Sequence, residues 1–318
     1  MKIVFLDAYT LNSLHDLDLS IFDTLGEVTL YDRTAKDEII ERAKDADIVL
    51  TNKCPLDTLT ISSLPNLKYI GVAATGYNIV DVEAAKNQGI IVTNVRGYSS
   101  ASVAQLVFSL ILSFTNRVAE HAQSINQTWT SSPDFSFYYT PLTELEGKTL
   151  GIIGLGDIGK KVANIGLGFG MKILATKRNP STGGMTDVEI CSEEKLLHES
   201  DFVTLHCPLT TDNQGFINKS SLSLMKPSAI LINTSRGGLI NENDLAEALN
   251  NHKIAGVGLD VLSVEPPTKE NPLLTASNTI ITPHIAWAGV NARKELLKGM
   301  VENIVAFQNG NVPKGLIT

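Results

Sequence analysis

The amino-acid sequence predicts an α/β protein built on two parallel β-sheets, each covered by helices. Two observations support this fold class. Apolar runs of strand length alternate with helical stretches along the whole chain, and continuous apolar runs are typical of strands buried on both faces of a parallel sheet. The chain has 318 residues, and at roughly 100–200 residues per domain this length predicts two domains, each with its own core.

Apolar runs mark the predicted strands in two groups, one early in the chain and one later. The early runs are KIVFLD, ADIVLT, LKYIGVAA and GIIVTNV. The later runs are TLGIIGLG, MKILATK, DFVTLHC, SAILINTS, IAGVGLDV and NTIITPH. Because helical stretches separate the runs, the strands of each group are predicted to pair in parallel.

A helix is predicted to link the two domains. Residues 95–102 collect Gly and Ser ahead of the apolar stretch SVAQLVFSLILSF, where Ser100 or Ser102 is the expected helix cap. The segment 127–147 is rich in Ser, Thr and aromatic residues and has no clean periodicity. Its aromatic side chains could cover a neighbouring subunit or line the mouth of a site, or the segment could fold against its own domain.

The last helical stretch is predicted to return to the first domain. Its apolar residues are spaced to share one helical face, which must pack on another part of the protein: Leu296, Met300, Ile304 and Phe307. We therefore predict a first domain that is discontinuous in sequence, with residues 1–97 and 288–318. The second domain is predicted to span residues 98–287.

Charge and cysteine content exclude several classes of partner. Lys and Arg total 26 against 34 Asp and Glu, and a net charge of −8 disfavours binding to nucleic acid. Cys54, Cys191 and Cys207 are widely spaced and form no C-x-x-C pair, which favours a reducing compartment. The longest apolar stretch, residues 103–114, is too short for the ~20 residues of a membrane span. We expect a cytoplasmic protein with neither nucleic-acid nor membrane partners.

A dinucleotide-binding motif opens the second group of strands. The run TLGII leads directly into the sequence GLGDIG, and an amphipathic helical stretch follows. A G-x-G-x-x-G sequence alone is weak evidence, but a preceding strand and a following helix aim backbone N–H groups at a pyrophosphate. The second domain is therefore predicted to be Rossmann-like, with Gly154, Gly156 and Gly159 at the cofactor.

The end of the next strand favours NADPH over NADH. NAD-binding domains usually carry Asp or Glu about 20 residues after the glycine motif, where it binds the ribose 2′-hydroxyl. Here the expected position falls near Thr176, Lys177 and Arg178, and no carboxylate is present. Two adjacent cations can instead accept a 2′-phosphate. The alternative is that Lys177 and Arg178 are solvated charges at the end of a strand, which leaves NADH open.

Three further segments place polar residues at the ends of predicted strands: AILINTSRGGLIN, IAGVGLDVLSVEPP and NTIITPHIAWAG. Because ligands bind at the carboxyl ends of strands in open α/β sheets, Arg236, Asp260, Glu265 and His284 are candidates for one site. Each residue alone has a structural explanation, as a surface charge, a solvated carboxylate or a core histidine. Their succession behind a dinucleotide motif favours a catalytic site.

At these motifs the chain resembles the D-isomer-specific 2-hydroxyacid dehydrogenases. The resemblance is carried by the glycine motif, HCPLT at 206–210, NTSRGGLIN at 233–241, GLDVLSVEPP at 258–267 and TPHIAWAG at 282–289. Within that family, GVAATGYNIVD and SSPDFSFYYTPLTELEGKTLGIIG are most similar to glycerate dehydrogenases, also called hydroxypyruvate reductases. The resemblance implies a substrate-binding domain formed by the discontinuous first domain, and a homodimer.

The resemblance implies that Arg236, Glu265 and His284 form the catalytic triad. Reduction of a 2-keto acid leaves negative charge on the carbonyl oxygen, and His284 would supply the proton, since histidine titrates near pH 6.5. Glu265 would bond the other ring nitrogen, fix the ring and favour its charged form. Arg236 would offer its planar fork to the substrate carboxylate and keto oxygen. No metal is expected, because Arg236 and His284 supply charge stabilisation and proton transfer.

The resemblance also assigns binding residues. The backbone N–H groups of Ala74, Thr75 and Gly76 would receive the substrate carboxylate, although a tight turn without a ligand explains this segment equally well. Trp287 could close over the substrate or pack between domains. His206 is expected to end a core strand. By the same resemblance, Asp157 and Ile158 would cover the pyrophosphate, and Asp260 would bind the nicotinamide carboxamide. The other implied cofactor contacts are Cys207, Pro208, Thr234, Ser235, Arg236 and His284.

The expected function is hydride transfer between NAD(P)H and a small 2-keto acid, with hydroxypyruvate or glyoxylate giving D-glycerate or glycolate. One alternative keeps the chemistry but changes the substrate to another D-2-hydroxy acid, including phosphoglycerate. A second alternative is a dinucleotide-sensing binding protein similar to corepressors, because a fold alone does not establish catalysis.

Overall fold

The computed structural model describes residues 1–177 and 185–318. The chain divides into two compact units. Unit 1 comprises Met1–Ser99 and Ala288–Thr318, and unit 2 comprises Ser100–Trp287. Each unit holds one sheet whose described strands all pair in parallel, with helices between the strands, and this confirms the predicted α/β fold class.

Short strands and helices alternate in both units. The described strands are β1 (Lys2–Phe5), β2 (Glu27–Leu30), β3 (Ile48–Thr51), β4 (Tyr69–Val72), β5 (Ile91–Thr93), β6 (Thr149–Ile153), β7 (Lys172–Thr176), β8 (Val188–Ile190), β9 (Phe202–Leu205), β10 (Ile230–Asn233), β11 (Gly256–Leu259) and β12 (Thr279–Ile281). The described α-helices are α1 (Tyr9–Asn12), α2 (Ile39–Ala43), α3 (Thr58–Ser62), α4 (Val82–Asn87), α5 (Ser100–Thr115), α6 (Val118–Ser124), α7 (Asp157–Gly168), α8 (Glu193–Glu199), α9 (Lys219–Leu224), α10 (Glu242–Asn250) and α11 (Val290–Gln308). Single 3₁₀ turns lie at Leu19–Phe22, Lys36–Glu38, Trp129–Ser131, Thr211–Asn213, Gly237–Leu239 and Pro272–Leu274.

The sheet of unit 1 has the strand order β2-β1-β3-β4-β5 over the described residues. Its central strands are apolar and buried on both faces, as the continuous runs predict, and Phe5, Ile48 and Ile70 are fully enclosed. β4 lies between β3 and β5, so the segments that follow these three strands meet at one edge of the sheet.

Helix α11 packs on the sheet of unit 1 through its apolar face. The Phe307 ring lies 5.0 Å from the Tyr69 ring on β4. Leu296, Met300 and Ile304 are buried, as their spacing predicts. This apolar stripe therefore binds the last helix to the unit formed by the first residues of the chain.

The sheet of unit 2 has the order β12-β11-β10-β9-β6-β7-β8 over the described residues. The first strand of this sheet, β6, lies in its interior. The chain then runs outward through β7 to β8 and returns to place β9 on the other side of β6. This reversal creates a crevice at the carboxyl ends of β6 and β9, which is where open α/β sheets bind ligands.

Helix α5 is a core helix of unit 2. It begins at Ser100, so the two residues predicted as alternative caps, Ser100 and Ser102, both belong to the helix, and the Ser102 hydroxyl donates to the Ala286 carbonyl at 2.6 Å. The helix packs close to the sheet, because a Cβ on Gly256 would lie 2.8 Å from the Phe114 ring. Within the described chain no single helix is long and apolar enough to cross a membrane, whereas α5 and α6, bent by 52°, meet that test jointly by length and composition.

The apolar runs failed to predict β2 and β8, the strands at one edge of each sheet. Among the described strands, β2 pairs only with β1, and three of its four residues are exposed. Within the same set, β8 pairs only with β7, and Glu189 at its centre is exposed. An edge strand has one neighbour and little buried surface, so it needs no continuous apolar run.

Candidate active site

The glycine motif forms the turn between β6 and α7. Gly154 has a φ of +103°, a conformation that side chains rarely adopt, and a Cβ there would lie 2.7 Å from the Cys207 nitrogen. A Cβ on Gly159 would collide with the Gly154 carbonyl, so this position allows α7 to pack close to the strand. Gly156 faces open space, since among the described residues no atom outside its two chain neighbours lies within 4 Å of its Cβ position. The backbone at Gly156 is therefore accessible to a ligand.

The N-terminus of α7 directs the N–H groups of its first turn toward the open space beside Gly156. The helix has 12 residues, begins at Asp157 and has no side-chain cap. Its first N–H groups have no acceptor within the helix, and they carry the positive end of the helix dipole. Asp157 is exposed and Ile158 is half-buried beside them. This turn fits a pyrophosphate, since it offers backbone donors and no side chain that would obstruct an anion.

The end of β7 approaches the glycine turn. The N–H groups of Gly154 and Leu155 both donate to the Thr176 carbonyl at 3.3 Å. Lys177 follows and is half-buried, and Arg178 lies outside the described residues. The described end of the strand therefore brings Lys177, and no carboxylate, next to the turn.

His206 is the first residue after β9, and its ring is neutral. Desolvation lowers the pKa of His206 to about 3. Its Nε2 lies 2.8 Å from the Thr204 hydroxyl, while its Nδ1 is buried without a hydrogen-bond partner among the described residues. The interpretation of His206 as a strand end is consistent with this burial. Cys207 and Pro208 follow, half-buried and exposed, beside the glycine turn.

The end of β10 carries Thr234, Ser235 and Arg236. The Thr234 hydroxyl is buried and has no partner within the described chain. The Ser235 hydroxyl donates to the Cys207 carbonyl at 2.7 Å and so connects the ends of β9 and β10. Arg236 is half-buried, and its Nη1 donates to the Ser235 carbonyl at 2.7 Å. This bond directs the guanidinium along the strand end.

Asp260, at the end of β11, holds the backbone that follows β12. The residue is 1% exposed, and its Oδ1 accepts from the Thr282 hydroxyl at 2.6 Å and from the Ile285 N–H at 2.8 Å. Its Oδ2 accepts from the Ala286 N–H at 2.8 Å. Burial raises the pKa of the Asp260 carboxyl, and these hydrogen bonds oppose the shift. One side chain therefore fixes both flanks of His284.

His284 and Glu265 form a hydrogen-bonded pair at the carboxyl edge of the sheet. His284 Nδ1 lies 2.6 Å from Glu265 Oε2, and the side chains are 30% and 34% exposed, respectively. The other carboxylate oxygen accepts from the Leu262 N–H at 3.0 Å. His284 has a φ of +53°, and its N–H donates to the Asp260 and Thr282 carbonyls at 2.9 Å each. The pair leaves the ring Nε2 as the nitrogen that can exchange a proton with a ligand.

The parallel sheet brings these segments to one edge of unit 2. The residues that follow β6, β9, β10, β11 and β12 all lie at carboxyl ends of neighbouring strands, as predicted. Gly237 shows how close two of the segments are, because a Cβ there would collide with the Leu262 backbone. Trp287 is half-buried at the end of unit 2. Among the described residues no three His, Cys, Asp or Glu side chains cluster as a metal site requires.

The predicted carboxylate-binding segment lies in unit 1, after β4. Within the described chain, no protein group accepts a hydrogen bond from the backbone N–H groups of Ala74, Thr75 and Gly76. The Ala74 carbonyl accepts from the Val95 N–H and the Thr75 carbonyl accepts from Asn94 Nδ2, and Thr75 also donates its hydroxyl to the Val95 carbonyl at 3.0 Å. The result is a held turn with three free donors, which is a suitable receptor for an anion.

Sequence reasoning missed several residues that hold these segments. Thr282 bonds Asp260 directly, and Asn52 and Asn94 bond the turn after β4. A signal was present, because each of the three is the first residue after a strand, the same position that Asp260 occupies. What the pattern could not supply was the bonding partner.

Comparison with known proteins gives one consistent result. Residues 108–286 match the family model described as D-isomer specific 2-hydroxyacid dehydrogenase, NAD binding domain. The chain is 45% identical over 317 residues to a hydroxypyruvate reductase of Blautia hydrogenotrophica, a match that covers 98% of both chains. It is 41% identical over 313 residues to a glycerate dehydrogenase of Methylorubrum extorquens, covering 97% of this chain and 96% of that one. A solved structure of an acyclic imino acid reductase in complex with NADPH and D-Arg aligns with a TM-score of 0.87 at 30% identity over 100% of both chains.

Proposed function

Because the chain belongs to the D-isomer specific 2-hydroxyacid dehydrogenase family, we propose that it reduces hydroxypyruvate to D-glycerate and glyoxylate to glycolate, with NADPH as the preferred cofactor. The reaction of the family is hydride transfer between a nicotinamide dinucleotide and a small 2-keto acid. The substrates proposed here are supported by the relatives named hydroxypyruvate reductase and glycerate dehydrogenase.

The residues of unit 2 fit a nicotinamide dinucleotide. The open backbone at Gly156 and the uncapped start of α7 would hold the pyrophosphate. The Thr234 hydroxyl, which is buried and has no partner among the described residues, would donate a hydrogen bond to the cofactor or accept one from it, and Asp260 Oδ2 would accept one. The bound cofactor supplies the hydride that reduces the keto carbon.

One observation carries the proposal: the 2.6 Å pair of His284 Nδ1 and Glu265 Oε2. An ionised carboxylate can only accept a hydrogen bond, so the hydrogen of the pair belongs to Nδ1, and Nε2 is the atom that gives a proton to the keto oxygen. In the reverse reaction, Nε2 takes the hydroxyl proton back. The Glu265 carboxylate stabilises the positive charge that the ring carries before it donates.

Arg236 is proposed to bind the substrate. Its guanidinium has one N–H tied to the Ser235 carbonyl and forms no ion pair within the described chain. The remaining donors of the fork fit a carboxylate and a keto oxygen, and they stabilise the negative charge that develops as the hydride arrives. The free N–H groups of Ala74, Thr75 and Gly76 are proposed to receive the substrate carboxylate.

A spectrophotometric assay tests the function. The purified chain is mixed with NADPH or NADH and each member of a panel of 2-keto acids, and the loss of reduced-nicotinamide absorbance is followed. We expect the highest kcat/KM with hydroxypyruvate, followed by glyoxylate. A higher value with a phosphorylated or branched keto acid would assign another D-2-hydroxy acid as the substrate. Activity with none of them would contradict an enzymatic role and favour a dinucleotide-binding protein.

The preference for NADPH is supported by the strand end after β7. Lys177 is near the glycine turn and the sequence has no carboxylate at this position, so nothing there repels a 2′-phosphate. The NADPH complex of the imino acid reductase is compatible with this choice. We expect kcat/KM for NADPH to exceed kcat/KM for NADH, and we expect Lys177→Asp to reduce this preference for NADPH. A strong NADH preference of the unmodified chain would contradict it.

A homodimer is proposed from the aromatic segment of unit 2. Trp129, Phe135, Tyr138 and Tyr139 are 46%, 90%, 70% and 50% exposed. Adjacent exposed aromatic side chains are typical of a surface that another protein covers, and the family resemblance supports a second copy of this chain as that protein. Light scattering should give twice the mass of the chain, and a monomer would contradict the proposal.

A further inference from the structure

The turn that follows β4, residues 73–76, offers three backbone N–H donors, and the carbonyl of each of its first three residues accepts a hydrogen bond. We call these residues the donor turn. The first carbonyl, of Ala73, accepts from the Asn52 side-chain amide at 2.6 Å. The last, of Thr75, accepts from the Asn94 side-chain amide at 2.6 Å. The central carbonyl accepts from a backbone N–H, that of Val95, at 3.1 Å.

These bonds set the direction of the free donors. In a trans peptide unit the C=O and the following N–H lie in one rigid plane and point in opposite directions. A bond that fixes the Ala73 carbonyl therefore fixes the N–H of Ala74, and a bond that fixes the Thr75 carbonyl fixes the N–H of Gly76. Asn52 and Asn94 hold the two outer planes of the donor turn, one from each side.

Both asparagines are rigid supports. Asn52 follows β3 and is 5% exposed, and its backbone N–H donates to the Asp7 carboxylate at 2.7 Å. Asn94 follows β5 and is 2% exposed, and its backbone carbonyl accepts from the Asn303 side chain at 3.0 Å. Because β3 and β5 flank β4, the two amides reach the donor turn from neighbouring strands.

In the side-chain amide of Asn94, the nitrogen is hydrogen-bonded and the oxygen has no described partner. Its nitrogen donates to Thr75, whereas its oxygen is buried and has no partner in the described part of the chain. A buried acceptor without a partner destabilises a fold, and most buried polar atoms are paired. An asparagine present for stability alone would be expected to bond both atoms. The arrangement instead favours a function for the nitrogen.

We propose that Asn52 and Asn94 are positioning residues that aim the N–H groups of Ala74 and Gly76 at the substrate carboxylate. The inference rests on the proposed function, in which the donor turn receives that carboxylate. A backbone receptor has no side chain of its own to adjust, so its selectivity for a carboxylate depends on how firmly its peptide planes are held.

The test measures KM and kcat for hydroxypyruvate at saturating cofactor in Asn52→Ala, Asn94→Ala and Asn94→Asp. We expect KM to rise about tenfold or more in each variant, because a misdirected donor loses its charge-assisted hydrogen bond. We expect kcat to stay within about threefold of wild type, since the carboxylate is bound equally in the ground and transition states. Asn94→Asp keeps the shape but turns an acceptor toward the Thr75 carbonyl, so its effect should be at least as large as that of the alanine variant.

Asn12→Ala is the matched control in unit 1. The Asn12 side chain donates to the Leu17 carbonyl at 3.0 Å and accepts from the Leu17 N–H at 2.9 Å, and it makes no contact with the donor turn. We expect it to lower the melting temperature without changing KM. Melting curves and cofactor Kd are measured for every variant, and cofactor Kd should be unchanged in all of them.

A KM within about twofold of wild type in Asn52→Ala and Asn94→Ala, with wild type active, would overturn the inference and leave the proposed function intact. A parallel loss of kcat, cofactor affinity and melting temperature would also overturn it, because that pattern indicates a structural role. A wild-type chain inactive on every keto acid would remove the proposed function, and the inference with it. If Asn94→Ala does not fold, Asn52→Ala and Asn94→Ser decide the outcome, since they alter a different segment or retain a donor.

Discussion

Replacement of Glu265 by Gln removes the charge beside His284 and keeps the size of the side chain. The structure places Glu265 Oε2 2.6 Å from His284 Nδ1 and Oε1 3.0 Å from the Leu262 N–H. A Gln side chain can continue to accept one of these hydrogen bonds, so the loop should keep its conformation. What the variant loses is the negative charge that stabilises the proton-carrying ring during turnover.

The magnitude follows from the distance and the exposure of the pair. Two unit charges about 4 Å apart attract each other by about 4 kcal/mol near a protein surface and by about 1 kcal/mol in water. The two side chains are 30% and 34% exposed, so solvent screens part of the attraction. An intermediate value of about 2 kcal/mol corresponds to a decrease in kcat of roughly 30-fold.

The assay is kcat for hydroxypyruvate at saturating substrate and cofactor, with single-turnover measurements to isolate the chemical step. Glu242→Gln is the matched control, because Glu242 accepts from the Ser263 N–H at 2.7 Å and from Asn271 Nδ2 at 2.9 Å but makes no bond to His284. We expect the control to turn over as wild type does. A Glu265→Gln variant within about threefold of wild-type kcat would refute the role given to the carboxylate.

Three further predictions concern the cofactor turn, acid stability and the loop around His284. Gly156→Ala should fold normally, since no described atom outside the two chain neighbours lies within 4 Å of its Cβ position, yet it should weaken cofactor binding about tenfold or more. Gly159→Ala should instead lower stability, because its Cβ meets the Gly154 carbonyl. Equal cofactor Kd values for Gly156→Ala and wild type would contradict this prediction. At pH values between 6.5, the ordinary pKa of histidine, and about 3, His206 stays neutral in the folded state but binds a proton in the unfolded state. As the pH is lowered through this range, the free energy of unfolding should therefore fall more steeply in wild type than in His206→Gln, by about 1.4 kcal/mol per pH unit as measured by urea titration. Identical slopes for the two proteins would show that His206 is not desolvated. Asp260→Asn places a donor against the N–H groups that flank His284 and should cost about 1–3 kcal/mol of unfolding free energy together with most of kcat; unchanged urea midpoints would contradict the clamp.

Much of the fold was predictable because central strands leave a strong pattern. β6 and β9–β11 are buried on both faces, and their continuous apolar runs locate them in the sequence. The edge strands β2 and β8 leave no such pattern, because one side of each strand has no neighbour among the described strands. The start of α5 was ambiguous for another reason. Serine is a preferred capping residue, but the Ser102 hydroxyl donates to the Ala286 carbonyl, a partner that the sequence pattern does not reveal.

The candidate site was predictable to the level of residue type and strand end. A polar residue after an apolar run locates Arg236, Asp260 and His284 at the carboxyl edge of a parallel sheet. The bonds between these ends involve residues far apart in the chain, such as Asp260 with Thr282 and Ala286, and a one-dimensional pattern holds no record of them. For the same reason the sequence pattern singles out neither Asn52, which follows the run ADIVLT, nor Asn94, which lies inside the run GIIVTNV.

The measurement that tests the central claim most directly is hydroxypyruvate turnover with NADPH by the wild-type chain and by His284→Ala, with cofactor Kd measured for both. The claim is that this chain reduces a 2-keto acid and that His284 supplies the proton. Wild type should convert hydroxypyruvate to D-glycerate, while His284→Ala should bind the cofactor normally and lose about 100-fold or more in kcat. Turnover by His284→Ala within about tenfold of wild type would contradict the assignment of the proton donor, and an inactive wild-type chain would contradict the function itself.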